Sequence, residues 1–334
     1  MTSVSNTSNQ SPLLRPLTIL GAGLSIGQPH PGVESAPETM RRHGLLSVIE
    51  KLSSWQVNDA GDLDFDKELP VCSLTPGQIN NVLEAAYATR KIADATEAIA
   101  KRGDFCLTLG GDHSMAAGSI YGLLKAIPDL SVIWVDAHGD FNTPLTTPSG
   151  NFHGMPVAAL TGVFDLSAYP GFEYYQALLP PERIALVGVR SLDREELELL
   201  QQKGILVFTM SEIDRYGIGK VMTAALKRVN PMGVNRLHLS FDIDALDPAI
   251  APSTGTKVPG GLTYREAHYI AEAMAETGML VSMDVVEVNP ALRPDGSFDD
   301  TTTADPTVLM AIELIESALG KRIAPSLLIE DLIQ

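Results

Sequence analysis

The sequence of 334 residues predicts an α/β fold, in which a mostly parallel β-sheet carries helices on both faces. Apolar, β-branched runs of strand length alternate with segments of helical period along the whole chain. This alternation is typical of parallel strands joined by right-handed crossovers. No linker or shift of composition divides the chain, so we expect one domain over residues 16–334. A disordered polar tail at residues 1–15 is expected to precede it.

The individual elements follow from the period of the apolar residues. Strands are predicted at residues 17–23, 55–59, 105–110, 131–138, 183–190, 205–210, 236–244 and 279–288. The segment at 55–59, WQVND, is the weakest of these because it is short and half polar. Helices are predicted at residues 38–52, 77–102, 114–127, 193–203, 217–229, 263–277 and 305–319.

Composition excludes several classes of protein. A content of 45% hydrophobic and 19% charged residues is typical of globular proteins. The net charge of −17 argues against nucleic acid or an anionic membrane as a partner. No apolar run approaches the roughly 20 residues that span a bilayer, and the N-terminus lacks the features of a secretory signal.

Cysteine content indicates the compartment. The chain has two cysteines, Cys72 and Cys106. Cys106 lies in the apolar run FCLTLG, so we expect a buried free thiol rather than a disulfide. Free thiols indicate a reducing compartment, and we therefore expect a cytoplasmic protein.

The predicted strand at 131–138 runs into VDAHGD, where charged residues follow a core built for burial. Asp136, His138 and Asp140 recur at every second position, so they would point the same way if the strand continued. Two carboxylates buried together repel one another unless a positive charge lies nearby. The pattern therefore predicts a cation at this strand end.

Three further residues are expected at the same edge, because the carboxyl ends of parallel strands meet there. Asp242 and Asp244 repeat the i, i+2 spacing, and His113 follows the Gly-Gly turn after residues 105–110. Four carboxylates and two imidazoles without a thiolate suit Mn²⁺, with Fe²⁺, Co²⁺ or Ni²⁺ as alternatives. Six side chains suit two ions about 3.5–4 Å apart. Glu287 stands at another strand end.

Other polar residues in these runs are interpreted as structural. Asp112 is expected to cap a helix, Asp247 to begin a turn, and His238 to be a hydrogen-bonded core histidine. The remaining histidines interpreted in this way are His30, His43 and His268.

Several long blocks resemble the ureohydrolase family and, within it, the arginases. The blocks are GGDHS (110–114), VDAHGDFNTPLTTPSGNFHG (135–154), SFDIDALDP (240–248) and VVEVNP (285–290), with further similar segments at 25–37, 187–196 and 255–266. The resemblance implies a three-layer α/β/α fold around an eight-stranded, mostly parallel sheet, with two Mn²⁺ per subunit. It implies conversion of L-arginine to L-ornithine and urea by attack of a metal-bridging hydroxide on the guanidinium carbon. It also implies homotrimers or homohexamers.

The resemblance assigns roles to individual residues. The implied ligands are His113, Asp136, Asp140 and Asp242 for one ion, and Asp136, His138, Asp242 and Asp244 for the other. The implied catalytic residues are His153 as a proton shuttle, Asp140 as a proton carrier beside the hydroxide, and Glu287 beside the guanidinium. The implied substrate-binding residues are Asn142, Thr147, Ser149, Asp193, Glu196 and Thr256.

Two positions depart from the family pattern, and three other readings compete with this one. Ser191 stands where some arginases carry an aspartate, and His30 where some carry an arginine. A sister enzyme such as agmatinase or formimidoylglutamase would share the metal core. Agmatine has no α-carboxylate, so an enzyme for it would have no use for the Asn and Ser donors of the loop at 141–151. A non-catalytic homologue would usually lack ligands. Nucleotide binding at GAGLSIG (21–27) is disfavoured, because Pro29 and Pro31 prevent the helix that would hold a phosphate.

Overall fold

The structure is a computed structural model in which residues 14–65, 79–292 and 305–323 are described. Eight strands form one sheet, and every pairing between neighbours is parallel. They are β1 (Arg15–Ala22), β2 (Trp55–Asp62), β3 (Phe105–Gly110), β4 (Ser131–Val135), β5 (Ile184–Val189), β6 (Leu206–Thr209), β7 (Leu237–Asp242) and β8 (Leu280–Val286). Their order across the sheet is β2-β1-β3-β8-β7-β4-β5-β6.

Helices cover both faces of the sheet, which gives three layers. They are α1 (Ala36–Arg42), α2 (Leu45–Glu50), α3 (Val82–Lys101), α4 (Ala116–Ala126), α5 (Pro156–Leu160), α6 (Arg194–Lys203), α7 (Met210–Tyr216), α8 (Ile218–Val229), α9 (Tyr264–Glu276) and α10 (Pro306–Ala318). One apolar core joins the sheet to α1, α2 and α7–α10, and a second joins it to α3–α6. Side chains of β4 alternate between the two, with Ile133 and Val135 in the first and Val132 and Trp134 in the second. The predicted fold class is confirmed.

The register of the central strands aligns their carboxyl ends. Val135 of β4 pairs with Phe241 of β7, Phe241 with Val285 of β8, and Val285 with Leu109 of β3. Residues that follow these four strands therefore emerge at one edge of the sheet. That edge carries the residues predicted to form the site.

All eight predicted strands are present, but several boundaries were wrong. The strands predicted at 131–138 and 236–244 end at Val135 and Asp242. The helix predicted at 38–52 is two helices, because Gly44 at φ +92° separates α1 from α2. The short helices α5 and α7 were not predicted.

Some predictions concern residues outside the described ranges. Residues 1–13 of the predicted polar tail lie outside them, as do Cys72 and residues 77–78 of a predicted helix. Cys106 is a buried free cysteine, as predicted. After β1, the run GAGLSIG continues without a helix, which agrees with the predicted turn. Within the described residues, no helix combines the length and apolarity required to cross a membrane.

Candidate active site

Four adjacent strands deliver the predicted site residues to one edge of the sheet. Asp242 is the last residue of β7. Asp136 directly follows β4, and Glu287 directly follows β8. His113 begins a 3-10 turn, His113–Met115, shortly after β3. The structure thus brings residues separated by up to 174 positions in the chain into contact.

The side chains converge through turns rather than through strand alternation. Asp136 Oδ1 accepts a hydrogen bond from the N–H of His138 at 2.7 Å, and Asp242 Oδ1 accepts one from the N–H of Asp244 at 2.8 Å. Both contacts are Asx turns, in which an aspartate side chain accepts a hydrogen bond from the backbone N–H two residues later. Asp140 adopts φ +48°, a conformation uncommon outside glycine. The strand-alternation explanation of the i, i+2 spacing was therefore wrong, although the side chains that it selected do lie close together.

Donor atoms form two groups that share Asp136. Nδ1 of His113 lies 3.0 Å from Asp136 Oδ2, 3.2 Å from Asp140 Oδ2 and 3.1 Å from Asp242 Oδ2. Nδ1 of His138 lies 3.3 Å from Asp136 Oδ1 and 3.1 Å from Asp244 Oδ2. A single imidazole N–H cannot satisfy three carboxylates at once. With its carboxylates ionised, the first group therefore needs positive charge beyond what the His113 imidazole supplies.

This donor set fits bound cations. Neighbouring ligands of an octahedral ion with bonds of about 2.1 Å are about 3 Å apart, close to the separations found here. Oδ2 of Asp140 is buried and accepts no hydrogen bond from a described residue. Both groups satisfy the geometric requirement for an ion, namely His113 with Asp136 and Asp140, and Asp136 with His138 and Asp244. In these contacts Asp242 joins the first group, through His113.

Electrostatics lead to the same conclusion. Burial raises the pKa of Asp140 to about 6, and the charge of Asp136 adds to the shift while His113 opposes it. Burial also raises the pKa of Asp242 well above its ordinary value, reinforced by Asp244 and Asp136. These carboxylates cannot all be ionised together without added positive charge.

His153 and Glu287 form a pair beside the donor groups. Nδ1 of His153 lies 3.3 Å from Glu287 Oε1, which also accepts the backbone N–H of His113 at 2.9 Å. Burial lowers the pKa of His153, but Glu287 and the nearby Asp140 outweigh it and raise the pKa to about 9. Glu287 is buried at φ +60°, so its carboxylate depends on a backbone conformation that few residues adopt.

A cleft opens above the donor groups, and all six predicted substrate-binding residues line it. Those residues are Asn142, Thr147, Ser149, Asp193, Glu196 and Thr256. Ser191, His153 and Asp140 also line the cleft, whereas His30 is not among the lining residues. The loop residues hold one another in place: Asn142 Nδ2 donates to Asp193 Oδ2 at 3.0 Å, and the Thr147 and Ser149 hydroxyls are 3.4 Å apart.

Comparisons with known proteins identify the family. A family model described as "Arginase family" matches residues 15–320. The chain belongs to the arginase family. It is 44% identical to the arginase of Glaciozyma antarctica over 91% of this chain and 87% of that protein.

Solved arginase structures share the fold of this family member. The Bacillus caldovelox arginase superposes with a TM-score of 0.82 at 38% identity, over 93% of this chain and 100% of that chain. The Entamoeba histolytica arginase, solved in complex with L-ornithine, gives 0.79 at 30% identity, over 92% and 99%. The resemblance inferred from the sequence blocks is confirmed.

Two supporting residues of this arginase-family site were missed in the sequence. Ser240 Oγ lies 2.9 Å from Nε2 of His113, whose ring stacks on Trp134 at 3.9 Å between centroids. The indole of Trp134 donates to Asp136 Oδ2 at 3.0 Å. Trp134 and Ser240 each stand two positions before a predicted ligand. Side chains two positions apart in a strand lie on the same face, so this spacing could have identified both residues from the sequence.

Glu196 has a structural role in addition to lining the cleft. Its carboxylate accepts the N–H groups of Phe141 at 2.8 Å and of Asp193 at 3.2 Å. The second bond completes a capping box at the start of α6. Burial raises the pKa of Glu196 to about 7, with Asp140 adding to the shift. Glu196 thus ties the loop of Asp140 to the helix that presents Asp193.

Residues interpreted as structural have structural contacts. Asp112 accepts the N–H of Ser114 at 3.0 Å as a cap, and Nδ1 of the buried His238 lies 2.9 Å from Ser282 Oγ. Three backbone N–H groups donate to Asp247, which confirms its turn. His43 is held within its own turn by the carbonyl of Thr39, and His268 of α9 contacts Ser317 Oγ of α10.

If His113 ligates a metal ion, Ser240→Ala should weaken the binding of that ion. The change removes the partner of His113 Nε2 and frees the ring to rotate, a loss that typically lowers metal affinity by about 10- to 100-fold. Titration of chelator-treated protein with Mn²⁺ would measure it. Ser211→Ala, on the exposed start of α7, is a control that should leave both affinities unchanged. Unaltered affinity in Ser240→Ala would contradict the positioning role of Ser240.

Proposed function

We propose that this protein is an arginase that hydrolyses L-arginine to L-ornithine and urea. The observation that carries the proposal is the pair of donor groups that share Asp136 at the floor of the cleft. Membership of the arginase family, and relatives that are themselves arginases, support it.

We propose two Mn²⁺ as the resident ions, because carboxylate and imidazole donors without thiolate suit manganese. His113, Asp136, Asp140 and Asp242 would hold one ion, and Asp136, His138, Asp242 and Asp244 the other. When bound, two divalent ions supply Lewis acidity, which makes water acidic enough to provide a nucleophile near neutral pH. Asp136 is within reach of both imidazoles, which fits a role in both sites.

The remaining residues of the floor would position the guanidinium and move protons. Glu287 offers a buried carboxylate as a counter-charge for the substrate cation. Asp140, which lines the cleft beside the other donor residues, would pass a proton to the departing amine. His153, whose side chain is 18% exposed, can exchange protons between the floor and bulk water.

The cleft wall would recognise the amino-acid end of the substrate. Asp193 provides negative charge for the α-ammonium group, and Asn142 and Ser149 provide donors for the α-carboxylate. Thr147, Glu196 and Thr256 line the same wall. A site built from such groups rejects an analogue that leaves them unpaired.

The domain extent, the oligomeric state and the cellular location are inferred from the sequence. We propose a single catalytic domain over residues 16–334, a homotrimer or homohexamer, and a cytoplasmic location. The buried free thiol of Cys106 is compatible with a reducing compartment.

Removal of metal should abolish urea release, and Mn²⁺ should restore it best among divalent ions. Asp136→Asn should abolish activity and the binding of both ions, because this residue reaches both donor groups. Asp165→Asn is a matched control, since Asp165 makes the same turn with the N–H of Ser167 but lies outside the cleft. Full turnover by metal-free protein would refute the two-metal proposal.

His153→Ala should lower kcat by about 10²-fold while metal content stays unchanged, because the variant loses a proton carrier rather than a ligand. Steady-state kinetics together with metal analysis would measure both effects, and added imidazole should recover part of the rate. His43→Ala is the control, because it removes a histidine at the C-cap of α1 that does not line the cleft, and it should have the kcat of the unmodified enzyme. Loss of both ions in His153→Ala would instead make His153 a ligand.

Asp193→Asn should lower kcat/KM for L-arginine by about 10- to 100-fold and leave agmatine turnover little changed. The change removes a charge that contributes about 1.5–3 kcal/mol to an ionic hydrogen bond, while asparagine still caps α6. Asp305→Asn, at the N-cap of α10, is the matched control for helix stability.

The unmodified enzyme should strongly prefer L-arginine to agmatine in the same assay. Equal use of both would assign the protein to another ureohydrolase activity. No urea from either substrate, with two ions bound, would indicate a non-catalytic homologue.

A further inference from the structure

The guanidinium of Arg190 is surrounded by backbone carbonyl oxygens of two segments, the turn that carries Asp244 and the loop at residue 258. Its Nη2 donates to the carbonyls of Asp244 at 2.8 Å, Leu246 at 3.2 Å and Val258 at 2.6 Å. Its Nη1 donates to the carbonyl of Ala245 at 3.0 Å, and its Nε to that of Val258 at 3.1 Å. One side chain therefore joins the turn at 244–246 to the loop at 258.

The backbone at Arg190 holds a third segment. The N–H groups of Arg190 and Ser191 both donate to the carbonyl of Ala137, at 2.8 and 2.9 Å. Ala137 lies between Asp136 and His138, and its own N–H donates to Asp244 Oδ1 at 3.2 Å. A single residue at the end of β5 thus fixes the segments at 136–138, 244–246 and 256–258 relative to one another.

These three segments supply one of the two donor groups. Asp136, His138 and Asp244 form that group, and Thr256 donates to Asp244 Oδ2 at 2.8 Å. The other group depends on different supports, such as the contact of Ser240 with His113. Within the described residues, Arg190 makes no hydrogen bond to His113 or Asp140, the two ligands assigned to the other ion alone.

Arginine suits this position for two physical reasons. Its planar fork has five N–H donors in fixed geometry, whereas lysine has three on a flexible stem. Carbonyl groups of a tight turn need such partners when they lie away from water. Its positive charge also interacts electrostatically with Asp244 and Asp136, and more weakly with Asp247 and Asp242. The same side chain can therefore shape the turn and reduce the repulsion within the donor group.

We propose that Arg190 is a positioning residue for one metal ion of the pair, the ion whose ligands include His138 and Asp244. The inference rests on the proposed two-metal function. It predicts an asymmetry between the two ions that the ligands themselves do not reveal.

Mn²⁺ titration of the chelator-treated full chain, by calorimetry and electron paramagnetic resonance, tests the asymmetry. Arg190→Ala should weaken one ion by about 10- to 100-fold and leave the other unchanged. At two equivalents its spectrum should show isolated Mn²⁺ rather than the spin-coupled pair of the unmodified protein. The Mn²⁺ affinity of Arg190→Lys should lie between that of Arg190→Ala and that of the unmodified protein. Arg183→Ala is the matched control, because Arg183 donates to the carbonyl of Pro128 at the other end of β5.

A double-mutant comparison identifies which ion is affected. Adding Arg190→Ala to His138→Ala should change Mn²⁺ binding little, because both changes act on the same ion. Adding it to His113→Ala should weaken the ion that remains. The reverse pattern would overturn the inference.

The remaining outcomes are also decisive. Two ions of unaltered affinity in Arg190→Ala, or equal weakening of both, would overturn the positioning role. If Arg190→Ala does not fold, equal weakening of both ions in Arg190→Lys would overturn it. If the unmodified protein itself binds fewer than two Mn²⁺, the two-metal function fails and the inference fails with it. If it binds two, failure in the variants concerns Arg190 alone.

Discussion

Four buried aspartates repel one another at the carboxyl edge of the sheet, and the contacts around the site are arranged to hold them together. Asp136, Asp140, Asp242 and Asp244 are each at most 6% exposed, and two imidazoles cannot neutralise them. Burial of so much like charge is unfavourable unless cations reside among the carboxylates. Metal binding is thus a condition for the site to be stable in its ionised form, and not only a requirement of the chemistry. The acidic floor also favours the approach of a cationic guanidinium.

The protein holds this cluster in place with two separate sets of supports. On one side, the ring of His113 is fixed between Trp134 and Ser240, which belong to β4 and β7. On the other, the turns that carry His138 and Asp244 are joined to β5 through Arg190. The first set lies on central strands of the sheet. The second set consists of the loops at residues 136–138, 244–246 and 258, which follow the strand ends. Loops are the elements that local opening affects first, so the second set needs the additional hydrogen bonds that a guanidinium provides.

Much of the fold could be predicted from the sequence, because parallel strands buried on both faces appear as continuous apolar runs. The site residues could be predicted because aspartates at i, i+2 stand out after such runs. Their geometry could not, since the same spacing arises from strand alternation and from the side-chain turns of Asp136 and Asp242. Helix α5, with five residues, is too short for a period to be recognised. The contacts of Arg190 were also unpredictable, because its partners are backbone carbonyls 54 to 68 positions away, which carry no residue-specific signal.

We expect the six donor residues to hold two cations that share Asp136. Anomalous X-ray diffraction at the manganese edge, from crystals grown with Mn²⁺, tests it most directly. Two peaks are expected about 3.5–4 Å apart, one in contact with His113 and the other with His138, with Asp136 in contact with both. A single peak, or two peaks without a shared Asp136, would contradict it.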